Sequence, residues 1–228
     1  MPKLVRILHI ETSTKNCSVS ISENGKPTCI KELNTGAYSH AEKLHHFIHD
    51  CLLDAQLSIK DIHAIAIGKG PGSYTGLRIG VSAAKGLCFA SDIPLISINS
   101  LEILANSCSV DEGLIVPMIE ARRMEVYAAI FDKNYEWIRS TKAEIINEQS
   151  FSKLLVENKI YFLGDGAKKC KKVISHSNAN FIENSFPSTK EMLPIAYQKY
   201  LNREFEDVTY FEPYYLKDFV ATPKKKKS

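Results

Sequence analysis

The chain has 228 residues, of which 44% are hydrophobic and 24% are charged. This composition is typical of a soluble globular protein and excludes an intrinsically disordered chain. The length exceeds the common size of one domain, so we expect two lobes that each bury a core. The sequence has no apolar run of about 18 residues that could span a bilayer, and the apolar stretch in residues 1–10 is too short for a signal peptide. We therefore expect a cytoplasmic protein that does not enter a membrane.

The net charge of +3 is concentrated at the carboxyl-terminal end of the sequence. Four of the 29 basic residues are the lysines of residues 224–227, which leaves 25 against 26 acidic residues in the rest of the chain. Nucleic-acid-binding domains usually carry a basic face because phosphate neutralisation dominates their affinity. The near-neutral body does not predict such a face, and the lysine run is interpreted as a flexible, solvated end.

The six cysteines are dispersed along the chain and form no C-x-x-C pair. That spacing argues against a zinc knuckle and against a thioredoxin-like redox motif. We interpret the cysteines as reduced and mostly buried small hydrophobic residues.

The first half of the chain predicts three strands followed by alternating helices and strands. Alternating or apolar runs predict strands at residues 4–10, 17–22, 27–33, 64–67 and 94–98. Apolar residues at spacings of three and four predict helices that begin near Ser39 and that cover residues 77–90 and 101–108. Ser39 and Glu42 have the spacing of a capping box at the start of the first helix.

The second half opens in the same way, which suggests a structural duplication. Strands are predicted at residues 114–120, 126–131, 141–146 and 160–163, and a helix at residues 192–200. We therefore predict an amino-terminal lobe over residues 1–105, a carboxyl-terminal lobe over residues 106–220 and a basic flexible tail over residues 221–228.

Glycine is concentrated in residues 68–76, between a predicted strand and a predicted helix. The segment lacks the ending of a P-loop and the spacing of a dinucleotide-binding motif, so a tight turn is favoured over a phosphate cradle. Small residues then form two rows at a spacing of four: Gly76, Gly80 and Ala84, and Ser82, Gly86 and Ala90. Glycine lowers helix stability, so we expect close packing by another helix to compensate. Core packing is expected for at least one row, and the other helix can belong to this chain or to a partner.

Several catalytic readings of the sequence have weak support. His45 and His49 have the i, i+4 spacing of a metal pair, but no motif supplies a third ligand, so a solvated polar face is favoured. Ser73 lacks the G-x-S-x-G context of a serine hydrolase. Two turns are similar to the phosphate-facing turns of actin-like ATPases, although hairpin turns often use such residues. Their residues are Glu11, Thr12 and Ser13, and Gly164, Asp165 and Gly166.

Five segments together closely resemble the TsaB family in order and spacing. They are IETS at residues 10–13, SHAEKL at 39–44, GPGSYTGLRIGVSAAKG at 70–86, EARR at 120–123 and PYYLK at 213–217. The resemblance implies an α/β fold of two actin-like lobes of the ASKHA, ribonuclease H-like type, each a mixed sheet flanked by helices.

The resemblance also implies a non-catalytic role. The catalytic relative TsaD binds its metal through an H-x-x-x-H pair, and the corresponding positions here are Ser100 and Leu104. We therefore expect no catalytic residue and no metal site, and we expect a scaffold subunit for threonylcarbamoyl transfer by TsaD to the tRNA adenosine next to the anticodon. The two turns are then interpreted as vestigial phosphate turns, and no cofactor is expected. The alternative is that ADP or ATP binds at the interface of the complex.

The partners implied by the resemblance are TsaD in a heterodimer and the ATPase TsaE. We expect a homodimer when the chain is alone and contact with tRNA only through the complex. The partner-binding residues predicted on the two helices of the first lobe are His40, Leu44, Phe47, Ile48, Leu77, Arg78, Gly80, Val81 and Ala84. A bulky residue at position 80 is expected to abolish association and leave the chain folded. The alternative hypothesis is an actin-superfamily enzyme, either a small-molecule kinase or a metallopeptidase-like protein.

Overall fold

The first of two sheets is built from five strands of the amino-terminal region. The computed structural model describes residues 4–34, 36 and 39–217. The strands of this sheet are β1 (Arg6–Glu11), β2 (Cys17–Glu23), β3 (Lys26–Leu33), β4 (Ala64–Gly70) and β5 (Leu95–Asn99). They lie in the order β3-β2-β1-β4-β5; the β3–β2 and β2–β1 pairs are antiparallel, and the β1–β4 and β4–β5 pairs are parallel.

The second sheet repeats this arrangement strand for strand. Its members are β6 (Leu114–Glu120), β7 (Glu125–Phe131), β8 (Trp137–Ile145), β9 (Ile160–Leu163) and β10 (Ala179–Ile182). The order β10-β9-β6-β7-β8 has the same antiparallel and parallel pairings as the first sheet. The predicted two-lobed α/β architecture with a structural duplication is confirmed.

Six α-helices flank the sheets in the described part of the chain. They are α1 (His40–Asp54), α2 (Tyr74–Ser91), α3 (Ser100–Ala105), α4 (Ser152–Glu157), α5 (Ala167–Cys170) and α6 (Thr189–Leu201), and one 3-10 turn covers Ile59–Asp61. None of the described helices combines the length and the hydrophobicity that crossing a bilayer requires.

The central strand β1 is buried on both faces and so needs cover from both sides. Leu8 and Ile10 pack in one cluster with the inner faces of α1 and α2. Ile7 belongs to a second cluster, which includes Met192 and Ala196 of α6. Because successive side chains of a strand point to opposite faces, the sheet separates the two helix layers.

The last helix returns to the first sheet, which corrects the predicted extent of the second lobe. At the start of α6, the hydroxyl groups of Thr189 and Ser18 form a hydrogen bond of 2.8 Å, and farther on the amide of Glu206 donates to Leu95 O at 2.9 Å. The predicted range 106–220 is therefore too long, since the second sheet ends at Ile182. Sequence periodicity identifies an apolar helix face but not the sheet that this face covers. Residues 221–228 lie outside the described residues.

The predicted capping box at the start of α1 is wrong. The Ser39 side chain makes no capping hydrogen bond, and the first turn is closed by the backbone, with the Glu42 amide donating to Ser39 O at 3.1 Å. At α2 the side chain of Ser73 accepts from the Gly76 amide instead, so this helix begins at Tyr74, three residues before its predicted start.

We predict that Met192→Ala lowers the free energy of unfolding by about 2–5 kcal/mol, because the side chain is fully buried between α6 and the first sheet. Urea unfolding followed by circular dichroism measures the change. The matched control is Gln198→Ala, an exposed position of the same helix, which should shift stability by less than about 0.5 kcal/mol. Equal stability of the two variants would show that α6 is not part of this core.

Candidate functional site

The turn between β1 and β2 lies directly against the amino-terminal half of α2. A Cβ atom added at Gly72, Gly76 or Gly80 would overlap atoms of Ser13 or Thr12. Two hydrogen bonds join the surfaces: Thr12 Oγ1 donates to Gly76 O at 2.8 Å, and the amide of residue 73 donates to Ser13 O at 2.7 Å. The first row of small residues is therefore explained by contact within this chain.

A buried carboxylate occupies this turn. Glu11 is fully buried, and its Oε1 accepts a hydrogen bond from the Ser13 amide at 2.5 Å. Its Oε2 accepts a longer one, of 3.5 Å, from Ser100 Oγ. Gly68 leaves the room for this side chain, since a Cβ there would overlap Oε2. Burial raises the pKa of Glu11 above its ordinary 4.5, and the hydrogen bonds oppose that rise.

The second predicted phosphate turn is also bonded within the chain. Asp165 Oδ1 accepts from the Glu120 amide at 2.9 Å, and the amide of Gly166 donates to Met118 O at 3.1 Å. Gly164 adopts a φ of 98°, a left-handed conformation that favours glycine. Burial raises the pKa of Asp165. In both turns, therefore, the acidic side chain accepts a hydrogen bond from a backbone amide.

A cleft of about 930 Å³ separates these two turns. The segment 213–217 crosses it from the first sheet to the second. The Tyr214 amide donates to Lys69 O at 2.8 Å, the rings of Tyr215 and Tyr74 lie 5.0 Å apart, and Lys217 Nζ lies 2.5 Å from Glu125 Oε2. Residues 120–123 line the same cleft. Four of the five segments that carry the resemblance therefore line this cleft: 10–13, 70–86, 120–123 and 213–217.

The two positions that the resemblance assigns to the metal-binding histidines of TsaD are part of the core. Ser100 and Leu104 are both fully buried on α3, and Ser100 Oγ accepts from the Gly70 amide at 3.1 Å. Among the described residues, no group of three or more His, Cys, Asp or Glu side chains is placed to hold a metal ion. His45 and His49, which lie on the exposed face of α1, also belong to no such group.

Most of the predicted partner-binding residues face the interior, so their predicted role as a docking surface requires correction. Phe47 is half-buried and Arg78 is exposed, with its guanidinium 5.0 Å from the centre of the Tyr74 ring. The other seven are buried in the chain's own first lobe: His40, Leu44, Ile48, Leu77, Gly80, Val81 and Ala84. The physical reason is that apolar spacing marks the helix face that packs on the sheet. His40 Nε2, for example, donates to Thr14 O at 2.7 Å.

The outward face of α1 and α2 is formed by other residues, which we call the outer helix face. They are His45, His46, His49 and Leu53 on α1, and Arg78, Ser82, Gly86, Phe89 and Ala90 on α2. The side chain of Phe89 is 86% exposed and that of Leu53 is 66% exposed. A Cβ at Gly86 would meet no atom within 4 Å. The second row of small residues, Ser82, Gly86 and Ala90, therefore has no packing partner in the described chain. The spacing of four in this row is the sequence signal that could have located the outer helix face.

Comparison with known proteins places the chain among tRNA-modification proteins. The family model described as TsaD, tRNA N6-adenosine threonylcarbamoyltransferase, matches residues 35–225. The tRNA threonylcarbamoyladenosine biosynthesis protein TsaB of Escherichia coli K12 is 30% identical over 96% of this chain and 98% of that protein. A Staphylococcus aureus tRNA N6-adenosine threonylcarbamoyltransferase is 37% identical over 52% of this chain and 39% of its own length.

The solved structures agree on the fold. A Pseudomonas aeruginosa protein described as similar to the peptidase YeaZ superposes with a TM-score of 0.80 and 23% identity, covering 93% of this chain and all of that chain. YeaZ from Pseudomonas aeruginosa gives a TM-score of 0.77 at 22% identity with the same coverage. Because the relation to the TsaB protein extends over almost the whole of both sequences, the chain belongs to the TsaB family, within the wider group that the TsaD model describes.

Proposed function

We propose that the chain is a non-catalytic scaffold subunit of a complex that forms threonylcarbamoyladenosine in tRNA, with a TsaD-type transferase as its partner. The observation that carries this proposal is the match to TsaB over nearly the full length of both proteins. We extend the proposal to TsaE as a further partner, to contact with tRNA only through the complex, and to the cytoplasm as the site of action.

The interior of the lobes supports the absence of chemistry in this chain. The positions that bind a metal in TsaD hold a buried hydroxyl group and a buried leucine. At the first turn, the Glu11 side chain accepts a hydrogen bond from the Ser13 amide. It therefore occupies the position at which a phosphate oxygen would accept that hydrogen bond. The Ser13 amide is therefore not free to bind a phosphate oxygen, and the residues of this turn do not fit a nucleotide phosphate.

The outer helix face is the surface that we propose for the partner. Gly86 makes no contact that explains it, and glycine inside a helix costs about 1 kcal/mol relative to alanine. Phe89 adds an exposed aromatic ring one turn further along α2, and exposed apolar patches of this kind mark interaction sites. A TsaD-type protein matches the same family model, so it has corresponding helices to place against α1 and α2. Through the same face we propose a homodimer for the chain alone.

The central test is reconstitution of the modified nucleoside on tRNA with purified components from the source cell. We expect modification when this chain and the TsaD-type partner are both present, and at least a tenfold loss, or about 1.4 kcal/mol in the apparent barrier, when this chain is left out. Mass spectrometry of digested tRNA measures the product. Full modification in its absence would refute the scaffold role.

The isolated chain should neither hydrolyse ATP nor hold stoichiometric zinc or iron. Phosphate release and elemental analysis measure the two quantities, with the purified TsaD-type partner as a positive control for metal. Steady hydrolysis or a full equivalent of metal on this chain would instead support the enzyme alternative.

We predict that Gly86→Trp abolishes co-purification with the TsaD-type partner and leaves the isolated chain folded. The ring would stand on the outer helix face, where there is space within the chain but none against a closely packed helix. The matched control Lys153→Trp places the same ring on exposed α4 in the second lobe and should retain the partner. Unchanged binding by Gly86→Trp would remove the outer helix face as the interface.

The same reasoning reverses the expectation for position 80. Its Cβ would overlap Thr12 Oγ1 and approach Ile67 Cδ1, so a bulky residue there should disrupt the fold of the first lobe. If such a variant lost binding, the cause would be misfolding of the lobe, and the result would not locate the interface. Substitution of Gly86 is therefore the informative experiment.

We predict that Glu11→Gln raises stability at pH 8 and that the gain shrinks as the pH falls towards 5. The pKa of Glu11 is raised in the folded state, so the wild-type side chain favours folding below its unfolded pKa and loses that contribution as the pH rises. Glutamine keeps an acceptor for the Ser13 amide but carries no charge. Urea unfolding at several pH values measures the difference, and exposed Glu157→Gln on α4 is the control. A gain that is independent of pH would contradict a buried charge at this turn.

A further inference from the structure

Two of the six cysteines contact each other at the edge of the first sheet. Cys29 Sγ lies 3.0 Å from Cys51 Sγ. Cys29 is half-buried on β3, which is an edge strand, and Cys51 is buried on α1. The sequence gives no sign of this pair, because 21 other residues separate the two positions along the chain.

The two thiols have different access to solvent. Burial raises the pKa of the Cys51 thiol, and the contact with Cys29 adds to the rise. Its Sγ also lies 3.7 Å from Val19 O, to which the thiol can donate. Cys29 is the more accessible sulfur, so a small oxidant reaches Cys29 first. Next to the pair, Lys31 Nζ forms an ion pair of 2.6 Å with Asp54 Oδ2.

We propose that Cys29 and Cys51 are a site of reversible oxidation and form a disulfide through an initial adduct on Cys29. The Cys29 thiolate attacks a low-molecular-weight disulfide, which forms a mixed disulfide and releases one small thiol. The Cys51 sulfur then gives up its proton to solvent, attacks the Cys29 sulfur and releases the second small thiol. The two protein thiols lose two electrons and two protons, and the small disulfide is reduced to two thiols.

Closing the bond needs only a small movement. The sulfur atoms must approach by about 1 Å to reach a disulfide length of about 2.05 Å. Cys29 pairs with Ile21, at the position where the β2–β3 register shifts, and an edge strand at such an irregularity has one free side on which to move. The bond would tie β3 to the last turns of α1, close to Leu53 of the outer helix face.

The full chain treated with glutathione disulfide tests the proposal. We expect a loss of two of the six thiols when they are titrated under denaturing conditions, and recovery of all six after reduction with dithiothreitol. Peptide mapping without reduction should join the Cys29 peptide to the Cys51 peptide. Retention of six thiols, or a bond between other cysteines, would overturn the proposal.

Two variants and a control test the order of the steps. Cys51→Ala should stop at one glutathione on Cys29, whereas Cys29→Ala should keep all five remaining thiols because Cys51 is buried. Cys170→Ala removes a buried cysteine from the second lobe and should still lose two thiols. Loss of the Cys51 thiol in Cys29→Ala at the wild-type rate would overturn the assignment of Cys29. Circular dichroism before treatment checks that each variant is folded, and the wild-type peptide map decides the pairing if Cys51→Ala is not.

Discussion

The arrangement of the first lobe depends on one close approach, that of the β1–β2 turn to the glycine row of α2. Thr12 and Ser13 lie where the side chains of Gly72, Gly76 and Gly80 would otherwise be. Because this contact fixes which side of α2 faces inward, it also fixes which side faces outward. The low helix propensity of the inner glycines is offset by hydrogen bonds and packing within the chain. Within the part of the chain that the structure describes, Gly86 has no such compensation, since a Cβ there would meet no atom within 4 Å.

The same contact determines what the cleft can hold. With the turn held against α2, the Glu11 carboxylate is confined between Gly68 and Ser100 and takes up the Ser13 amide. The second turn satisfies its own polar groups through Glu120 and Met118. The amides of Ser13, Glu120 and Gly166 therefore already have acceptors within the chain. Segment 213–217 ties the two sides of the cleft together.

Much of the fold was predictable from the sequence, while the outer helix face was not. The bounds of β6 and β9 follow from apolar runs between turn residues and were predicted to the residue. β10 was missed because four residues without alternation carry no periodic signal. Seven of the nine residues predicted to bind a partner face the interior, because periodicity reports the buried face of a helix. Ser82, Gly86 and Ala90 were noticed as a row, but only coordinates show that the row is unpacked. The contact between Cys29 and Cys51 is equally invisible in sequence, since it depends on how α1 crosses β3.

These features divide the first lobe into a closed interior and an open outer layer. In the interior, α1 and α2 cover one face of β1 and α6 covers the other. Helix α6 follows the second sheet in the sequence. That return makes the first sheet depend on residues 189–201, because its core is incomplete until they are in place. A partner that docks on the outer helix face would then meet helices that are already fixed from beneath. Little conformational entropy would then be lost on binding, which favours affinity.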